Sequence, residues 1–154
     1  MQLLTPIRVP PNCAFEVDDF ENEWLYQKPF DYIHGREIEG CVGNENRLFS
    51  QAFQHLKPGG YVEVQCVSSH FLSDDDTAAK AENCQLWIKT LREGGEKFGK
   101  SYDSVKLWKG VMEEVGFVDV KEAVYKVSRP IIHGHIHGLT RYSCPLVHGR
   151  RIHT

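Results

Sequence analysis

The strongest structural signal in this sequence is a helical pattern that ends abruptly and is followed at once by a strand pattern. Between residues 44 and 56 the apolar side chains recur at helical spacing, at Leu48, Ala52, Phe53 and Leu56. Residues 57–60 (KPGG) end this helix, because proline and glycine do not extend one. Residues 61–67 then alternate between the two faces of a strand and are rich in β-branched and aromatic types. The sequence therefore predicts a helix, a tight turn and a strand in succession.

The remaining patterns continue this alternation of strands and helices. In chain order they predict a strand at 13–17, a strand at 29–34, the helix and strand above, a helix at 77–98 broken near Gly94 and Gly95, a helix at 104–115 and a strand at 117–127. Such an order indicates an α/β fold with a largely parallel sheet. After residue 130 the helical period is lost and histidines accumulate. We therefore divide the chain into a domain at 1–130 and a histidine- and arginine-rich tail at 131–154.

Composition excludes several classes of function. The 18 basic and 21 acidic residues give a net charge of −3, so we expect no direct nucleic-acid binding, which requires a basic footprint. No apolar run is long enough to span a bilayer, and we recognise no secretory signal. The five cysteines are widely spaced and form no C-x-x-C pair, which is typical of a reducing compartment. We therefore expect an intracellular protein, cytoplasmic or nuclear, without a membrane partner.

Ligands of open α/β sheets bind beyond the carboxyl ends of the strands, and three predicted strand ends are candidates, at residues 18–20, 34–36 and 67–69. Asp18, Asp19 and Phe20 follow the first strand. A carboxylate beside an aromatic ring can hold a polar heterocycle, because the acid accepts from an exocyclic amine while the ring packs on its face. The same residues also suit a solvated acidic loop.

The second predicted strand ends in His34, Gly35 and Arg36. His34 could act as a base or donor near neutral pH, or could simply be a histidine with satisfied hydrogen bonds. Arg36 could bind a carboxylate through two hydrogen bonds. If that carboxylate were Glu63 or Asp31 of this chain, the role of Arg36 would be structural.

Alternate histidines in the tail, His133, His135 and His137, would share one side of an extended segment and could bind a transition metal. No nearby carboxylate or cysteine has a clear ligand spacing. We therefore predict no metal site and interpret this run as a polar tail with adventitious metal affinity.

Four segments carry a resemblance to a known family. They are residues 9–19 (VPPNCAFEVDD), 30–36 (FDYIHGR), 51–65 (QAFQHLKPGGYVEVQ) and 116–120 (GFVDV). In this order they resemble the class I S-adenosylmethionine-dependent methyltransferases related to the fungal global regulators of secondary metabolism. The resemblance covers residues 5–127, and residues 141–151 faintly resemble the last strand of the family.

The resemblance implies a fold, a cofactor and a set of site residues. The family sheet has seven strands in the order 3-2-1-4-5-7-6, with helices on both faces. S-adenosylmethionine would be the cofactor, and the acceptor of its methyl group, a small molecule or a protein, is not named by the sequence. Asp18, Asp19 and Phe20 resemble the loop that reads adenine. His34 and Gly35 resemble the cofactor-binding end of the fourth strand, and His34 and Arg36 are the catalytic candidates.

The chain also departs from the family pattern. The glycine-rich turn after the family's first strand has no counterpart, and Leu3 stands where an acid normally binds the ribose. We therefore expect an incomplete Rossmann-like sheet that lacks the first βαβ unit, in an N-terminally truncated chain. Two missing strands leave a gap of roughly 10 Å at about 4.8 Å per strand, and exposed edges would favour self-association. The alternative is a non-catalytic methyltransferase-like fragment that acts as an interaction module.

Overall fold

The computed structural model describes residues 10–71, 73, 75, 77–129 and 140–151, and for 126–129 and 140–147 only the backbone. Its helices and strands are β1 (Phe30–Arg36), α1 (Glu45–His55), β2 (Leu56–Gln65), α2 (Thr77–Lys80), α3 (Glu82–Lys97), a 3₁₀ turn (Ser104–Leu107), α4 (Trp108–Val115), β3 (Val118–Arg129) and β4 (Thr140–Arg150). Strands and helices alternate through β3, which confirms the predicted α/β class.

The four strands form one sheet in the order β1-β2-β4-β3. β1 is parallel to β2, with Ile33 opposite Val62, whereas β4 runs antiparallel to both β2 and β3. β1, β2 and β3 therefore run in the same direction, and β4 alone among the described strands is reversed, so the predicted largely parallel sheet is confirmed. β3 and β4 follow each other without an intervening described helix, and strands joined in this way pair antiparallel. The order equals 4-5-7-6, the second half of the family order.

The hydrophobic core lies on one face of β1 and β2, beneath α1 and α4. Asn44 caps α1 by accepting a hydrogen bond from the Arg47 N–H, 2.9 Å away. The buried face of α1 then brings Phe49 edge-on to Trp108 of α4, with ring centroids 5.7 Å apart. Several other side chains complete this core, namely Val42, Leu48, Ala52, Leu56, Val62, Val64, Cys66, Val105, Met112 and Phe117.

Side chains on the other face of β1 and β2 are exposed. Tyr32, His34 and Arg36 alternate with the inward residues of β1, and Tyr61 continues this face onto β2. His34 and Arg36 thus lie on the exposed face of the sheet, opposite the hydrophobic core.

The predicted strand at 13–17 is wrong. These residues are exposed and belong to no strand, and the Cys13 N–H donates to the Pro10 carbonyl in a local turn. A strand needs a neighbour for its N–H and C=O groups, and no described strand lies beside this segment. Weak alternation was therefore insufficient evidence for a strand.

The helix predicted at 77–98 breaks at Ala81, between α2 and α3, and continues through Gly94 and Gly95. A Cβ on Gly95 would come within 2.5 Å of the Lys100 carbonyl oxygen. This glycine therefore permits a close approach of the following loop and does not interrupt the helix.

The tail residues His133, His135 and His137 lie outside the described residues. Within the described ranges, no group of three or more histidine, cysteine, aspartate or glutamate side chains is arranged to hold a metal ion. In the same ranges, no helix combines the length and apolar character needed to cross a membrane.

Candidate functional site

The acidic turn, residues 18–20, is shaped by its own carboxylates. The Asp19 N–H donates to Asp18 Oδ1 at 2.8 Å, and the Glu21 N–H donates to Asp19 Oδ1 at 3.0 Å. Both aspartates are exposed, and Phe20 is half-buried against the core. A carboxylate has two oxygens with two lone pairs each, so both side chains retain capacity to accept hydrogen bonds from a ligand.

Glu21 ties this acidic turn to the loop that follows β1. Its Oε1 accepts from the Gly43 N–H at 2.6 Å, and its Oε2 accepts from Lys100 Nζ at 2.5 Å. Lys100 Nζ also donates to the Cys41 carbonyl at 2.9 Å. The hydrogen bond from Lys100, followed by that from Gly43, lowers the pKa of Glu21. The Glu21 carboxylate therefore joins three segments that are distant in sequence.

Trp24 provides a second attachment. Its backbone N–H donates to Gln51 Oε1 on α1, and its indole N–H donates to the Phe20 carbonyl, both at 2.9 Å. Gln51 is buried. The segment before β1 is thus held against the sheet by specific polar contacts, although it forms no strand.

Two adjoining cavities collect the residues that the sequence singled out. The acidic cavity, about 310 Å³, is lined by Asp18, Asp19 and Phe20 together with residues of β1. The strand-end cavity, about 280 Å³, is lined by His34, Gly35 and Arg36 and by apolar side chains of α1 and β2. Three residues line both cavities, namely Phe20, Trp24 and Ile33. The structure thereby brings all six candidates to one continuous region along β1, with the acidic cavity beside its first half and the strand-end cavity beside its last residues.

His34 belongs to a small polar cluster on the exposed face of the sheet. Its ring stacks on Tyr32, with centroids 6.1 Å apart and an interplanar angle of 22°. Its Nε2 lies 3.6 Å from Glu63 Oε1, which also accepts from the Tyr32 hydroxyl at 3.0 Å. Desolvation, and then the hydrogen bond to Glu63, raises the pKa of Tyr32. Glu63 can therefore orient the ring of His34 and the hydroxyl group of Tyr32.

Arg36 does not pair with either of the carboxylates considered from the sequence. Its guanidinium lies 3.5 Å from Glu37, its neighbour in the chain, and both side chains are well exposed. Asp31 instead accepts from Lys57 Nζ at 2.7 and 2.8 Å. An exposed pair of this kind contributes little stability, so the guanidinium remains available to a ligand.

Gly35 lines the strand-end cavity without a side chain. A Cβ there would lie 3.2 Å from the end of the Ile38 side chain and 3.6 Å from Val64. Any larger residue would thus crowd the cavity wall at the point where β1 ends.

Sequence reasoning missed two residues that organise this region. Glu21 is one of several acids in its segment, and its partners Gly43 and Lys100 are 22 and 79 residues away. Trp24 stands out in the sequence only as an aromatic residue in an acidic stretch, although its two hydrogen bonds fix the segment. No local pattern reports such contacts, because they depend on the assembled fold.

Known proteins with similar sequences include methyltransferases and a regulator of secondary metabolism. A family described as "Methyltransferase domain" matches residues 4–122. Methyltransferase pytC of Aspergillus terreus is 31% identical over 127 residues, covering 80% of this chain and 39% of that protein. The secondary metabolism regulator laeA of Aspergillus fumigatus is 26% identical over 121 residues, covering 76% of this chain and 32% of that protein. The chain therefore spans less than half the length of these curated relatives.

The fold has counterparts among solved structures. Phosphoethanolamine N-methyltransferase 2 of Haemonchus contortus, solved in complex with S-adenosyl-L-methionine, superposes with a TM-score of 0.54 at 14% identity. The match covers 88% of this chain and 36% of that one. At this identity the likeness supports the Rossmann-like fold alone, whereas the sequence match over residues 4–122 identifies the family. The chain belongs to the methyltransferase domain family and has fungal relatives that include regulators of secondary metabolism.

Proposed function

We propose that this chain binds S-adenosylmethionine in the acidic and strand-end cavities and serves in the transfer of its methyl group to an acceptor nucleophile. One observation carries the proposal: the acidic turn and the end of β1 line adjoining cavities that share Phe20, Trp24 and Ile33. Membership of the methyltransferase domain family supports the same assignment. The Haemonchus enzyme, whose fold is similar, was solved with this cofactor bound.

The residues present suit the adenine end of this cofactor. Asp18 and Asp19 offer carboxylate oxygens to an exocyclic amine, and Phe20 offers an apolar ring face beside them. Because Gly35 has no side chain, it leaves space in the strand-end cavity. The remainder of the cofactor would lie there, along the end of β1. In this proposal His34, which also lines that cavity, contacts the cofactor or the acceptor.

When bound, the cofactor supplies an electrophilic methyl group on a sulfonium ion. The protein contributes mainly by holding the two reactants in line and close together. In this proposal His34 accepts a proton from the acceptor at a ring nitrogen, and the Glu63 carboxylate 3.6 Å from Nε2 orients the ring. The exposed Arg36 guanidinium can hold an anionic group of the acceptor.

The alternative function is a non-catalytic interaction module, and one sequence observation favours it. Leu3 stands where the resemblance places the acid that binds the ribose. In this alternative the outer edge of β1, which pairs with no other described strand, is the surface through which the chain associates. We also propose an intracellular location, in the cytoplasm or nucleus, from composition alone.

Calorimetric titration with S-adenosylhomocysteine separates the two functions without requiring turnover. We expect micromolar binding that weakens at least tenfold in Asp18→Asn/Asp19→Asn, since hydrogen bonds to charged acceptors, worth about 1.5–3 kcal/mol each, become weaker bonds to neutral amide oxygens. The matched control is Glu113→Gln/Glu114→Gln, an adjacent exposed acidic pair on α4 that should bind normally. A folded chain that shows no binding would reject cofactor use and support the interaction module.

A further inference from the structure

A third cavity lies outside the proposed cofactor region, between α3 and the loop that follows it. Its volume is about 510 Å³, within the range of small-molecule sites. The walls are largely apolar and aromatic, and they include Trp87, Gly94, Phe98 and Tyr102. Trp87 and Phe98 are 59% and 84% exposed, so large apolar side chains of the wall face solvent. Exposed apolar surface grouped around a cavity marks a binding site more often than an ordinary surface.

Tyr102 forms a fixed wall of this aromatic cavity. Its ring lies between two glycines: a Cβ on Gly40 would approach the ring to 2.5 Å, and one on Gly95 would approach it to 3.0 Å. The Lys100 N–H donates to the Gly95 carbonyl at 2.9 Å, and Arg92 of α3 pairs with Asp103 beside the tyrosine. The ring is therefore positioned before any ligand arrives.

The chemistry of the walls selects an uncharged aromatic ligand. Lys100 is the charged residue of the lining, and its ammonium already contacts Glu21 and the Cys41 carbonyl. A further aromatic residue, Phe71, extends the aromatic wall, since its ring centroid lies 6.2 Å from that of Trp87. Rings stack favourably on such walls, whereas a charged ligand would find no unpaired opposite charge among the described residues that line the cavity.

The loop after β1 connects this cavity with the proposed cofactor region. Ile38 of that loop lines the strand-end cavity, and Gly40, two residues later, lines the aromatic cavity. We propose that the aromatic cavity binds an uncharged aromatic ring system and that this ring belongs to the methyl acceptor. The second part of this proposal rests on the proposed function, whereas the first part does not.

Indole, an uncharged bicyclic ring, is the probe for the test. In ¹H–¹⁵N spectra of the whole chain without cofactor, indole should shift the Trp87 side-chain resonance and the amides of residues 94–102 saturably. Gly94→Leu should weaken binding at least tenfold, because nothing lies within 4 Å of a Cβ there and the new side chain would occupy the cavity. Gly110→Leu is the matched control: this exposed glycine of α4 also has open space and should bind indole within twofold of the unmodified chain.

Phe98→Ala provides a second variant, since Phe98 is almost fully exposed and its loss should not unfold the chain. It should weaken indole binding severalfold. The proposal is overturned if indole causes no saturable shifts, if Gly94→Leu and Phe98→Ala bind normally, or if indole-3-acetate binds tenfold tighter than indole. Shifts of the same residues on dilution, without ligand, would also overturn it, because a second copy would then cover the cavity.

The two proposals fail separately. Indole binding with no S-adenosylhomocysteine binding would reject the proposed function and the acceptor role, and would keep the aromatic cavity as a binding site for rings. S-adenosylhomocysteine binding with no indole binding would reject the aromatic site and keep the proposed function.

Discussion

Replacing Glu21 by alanine should destabilise the chain and loosen the acidic turn from the end of β1. The substitution removes the acceptor for the Gly43 N–H and for Lys100 Nζ at once. Glu21→Gln retains a neutral acceptor for Gly43 but loses the ion pair. The order of stability should therefore be the unmodified chain, then Glu21→Gln, then Glu21→Ala.

The size of the effect follows from the exposure of the two partners. The Glu21 side chain is 24% exposed and that of Lys100 is 40% exposed, so solvent screens the ion pair and limits it to about 0.2–1 kcal/mol. The backbone hydrogen bond to a charged acceptor adds about 1.5–3 kcal/mol. We expect a loss of about 2–4 kcal/mol in the free energy of unfolding for Glu21→Ala, and about 1–2 kcal/mol for Glu21→Gln, which keeps a weaker neutral hydrogen bond.

Urea denaturation at several pH values measures this loss. Because the pKa of Glu21 is lowered in the folded chain, its contribution is present above the unfolded pKa and is lost as the pH falls through the lower folded pKa. The difference between Glu21→Ala and the unmodified chain should thus be complete at pH 7 and shrink below about pH 4. Exposed Glu23 supplies the control, and Glu23→Ala should change stability by less than about 0.5 kcal/mol. Equal effects of the two alanine variants, or a Glu21→Ala effect as large at pH 2 as at pH 7, would refute the reasoning.

Three further predictions test the hydrophobic core, the glycine that ends α4 and the burial of Cys66. Trp108 is fully buried, so Trp108→Ala should cost about 3–5 kcal/mol in urea denaturation, and a cost below 1 kcal/mol would contradict its place in the core. Gly116 ends α4 at φ 114°, so Gly116→Ala should lose about 1–2 kcal/mol, whereas Gly110→Ala within α4 should gain about 0.5–1 kcal/mol in the same assay. Burial raises the pKa of the Cys66 thiol, so iodoacetamide and peptide mass spectrometry should find Cys66 unmodified in the folded chain; its early labelling would contradict the burial. The exposed cysteines that should react first are Cys13, Cys41 and Cys84.

The elements around residues 44–67 were predictable because local chemistry and tertiary packing agree there. Helical spacing placed α1, and the β-branched alternation after residue 60 placed most of β2. The structure starts β2 earlier, at Leu56, because Leu56 already pairs with Phe30 of β1; residues 57–60 form an irregularity before the pairing resumes at Tyr61. The outline of α4 and its glycine cap at Gly116 were predictable for the same reason.

The other features of the fold and of the site depend on long-range contacts, which sequence patterns do not identify. Alternation at 13–17 predicted a strand, but a strand exists only beside another strand. The position of β4 between β2 and β3 follows from long-range pairing, such as Val64 opposite Val147. At the site, the six candidate residues were predicted from the ends of predicted strands and from the family resemblance, whereas Glu21 and Glu63 contact residues that only the fold brings near.

The central claim is that the acidic turn and the end of β1 form one cofactor site. Hydrogen–deuterium exchange with and without S-adenosylhomocysteine tests it most directly, because it reports where the ligand orders the backbone. Bound ligand should slow exchange in peptides that contain Asp18, Asp19 and Phe20 and in those that contain His34, Gly35 and Arg36. Exchange in α4 should not change. Saturating ligand that protects neither segment, or protects only α3, would contradict the account.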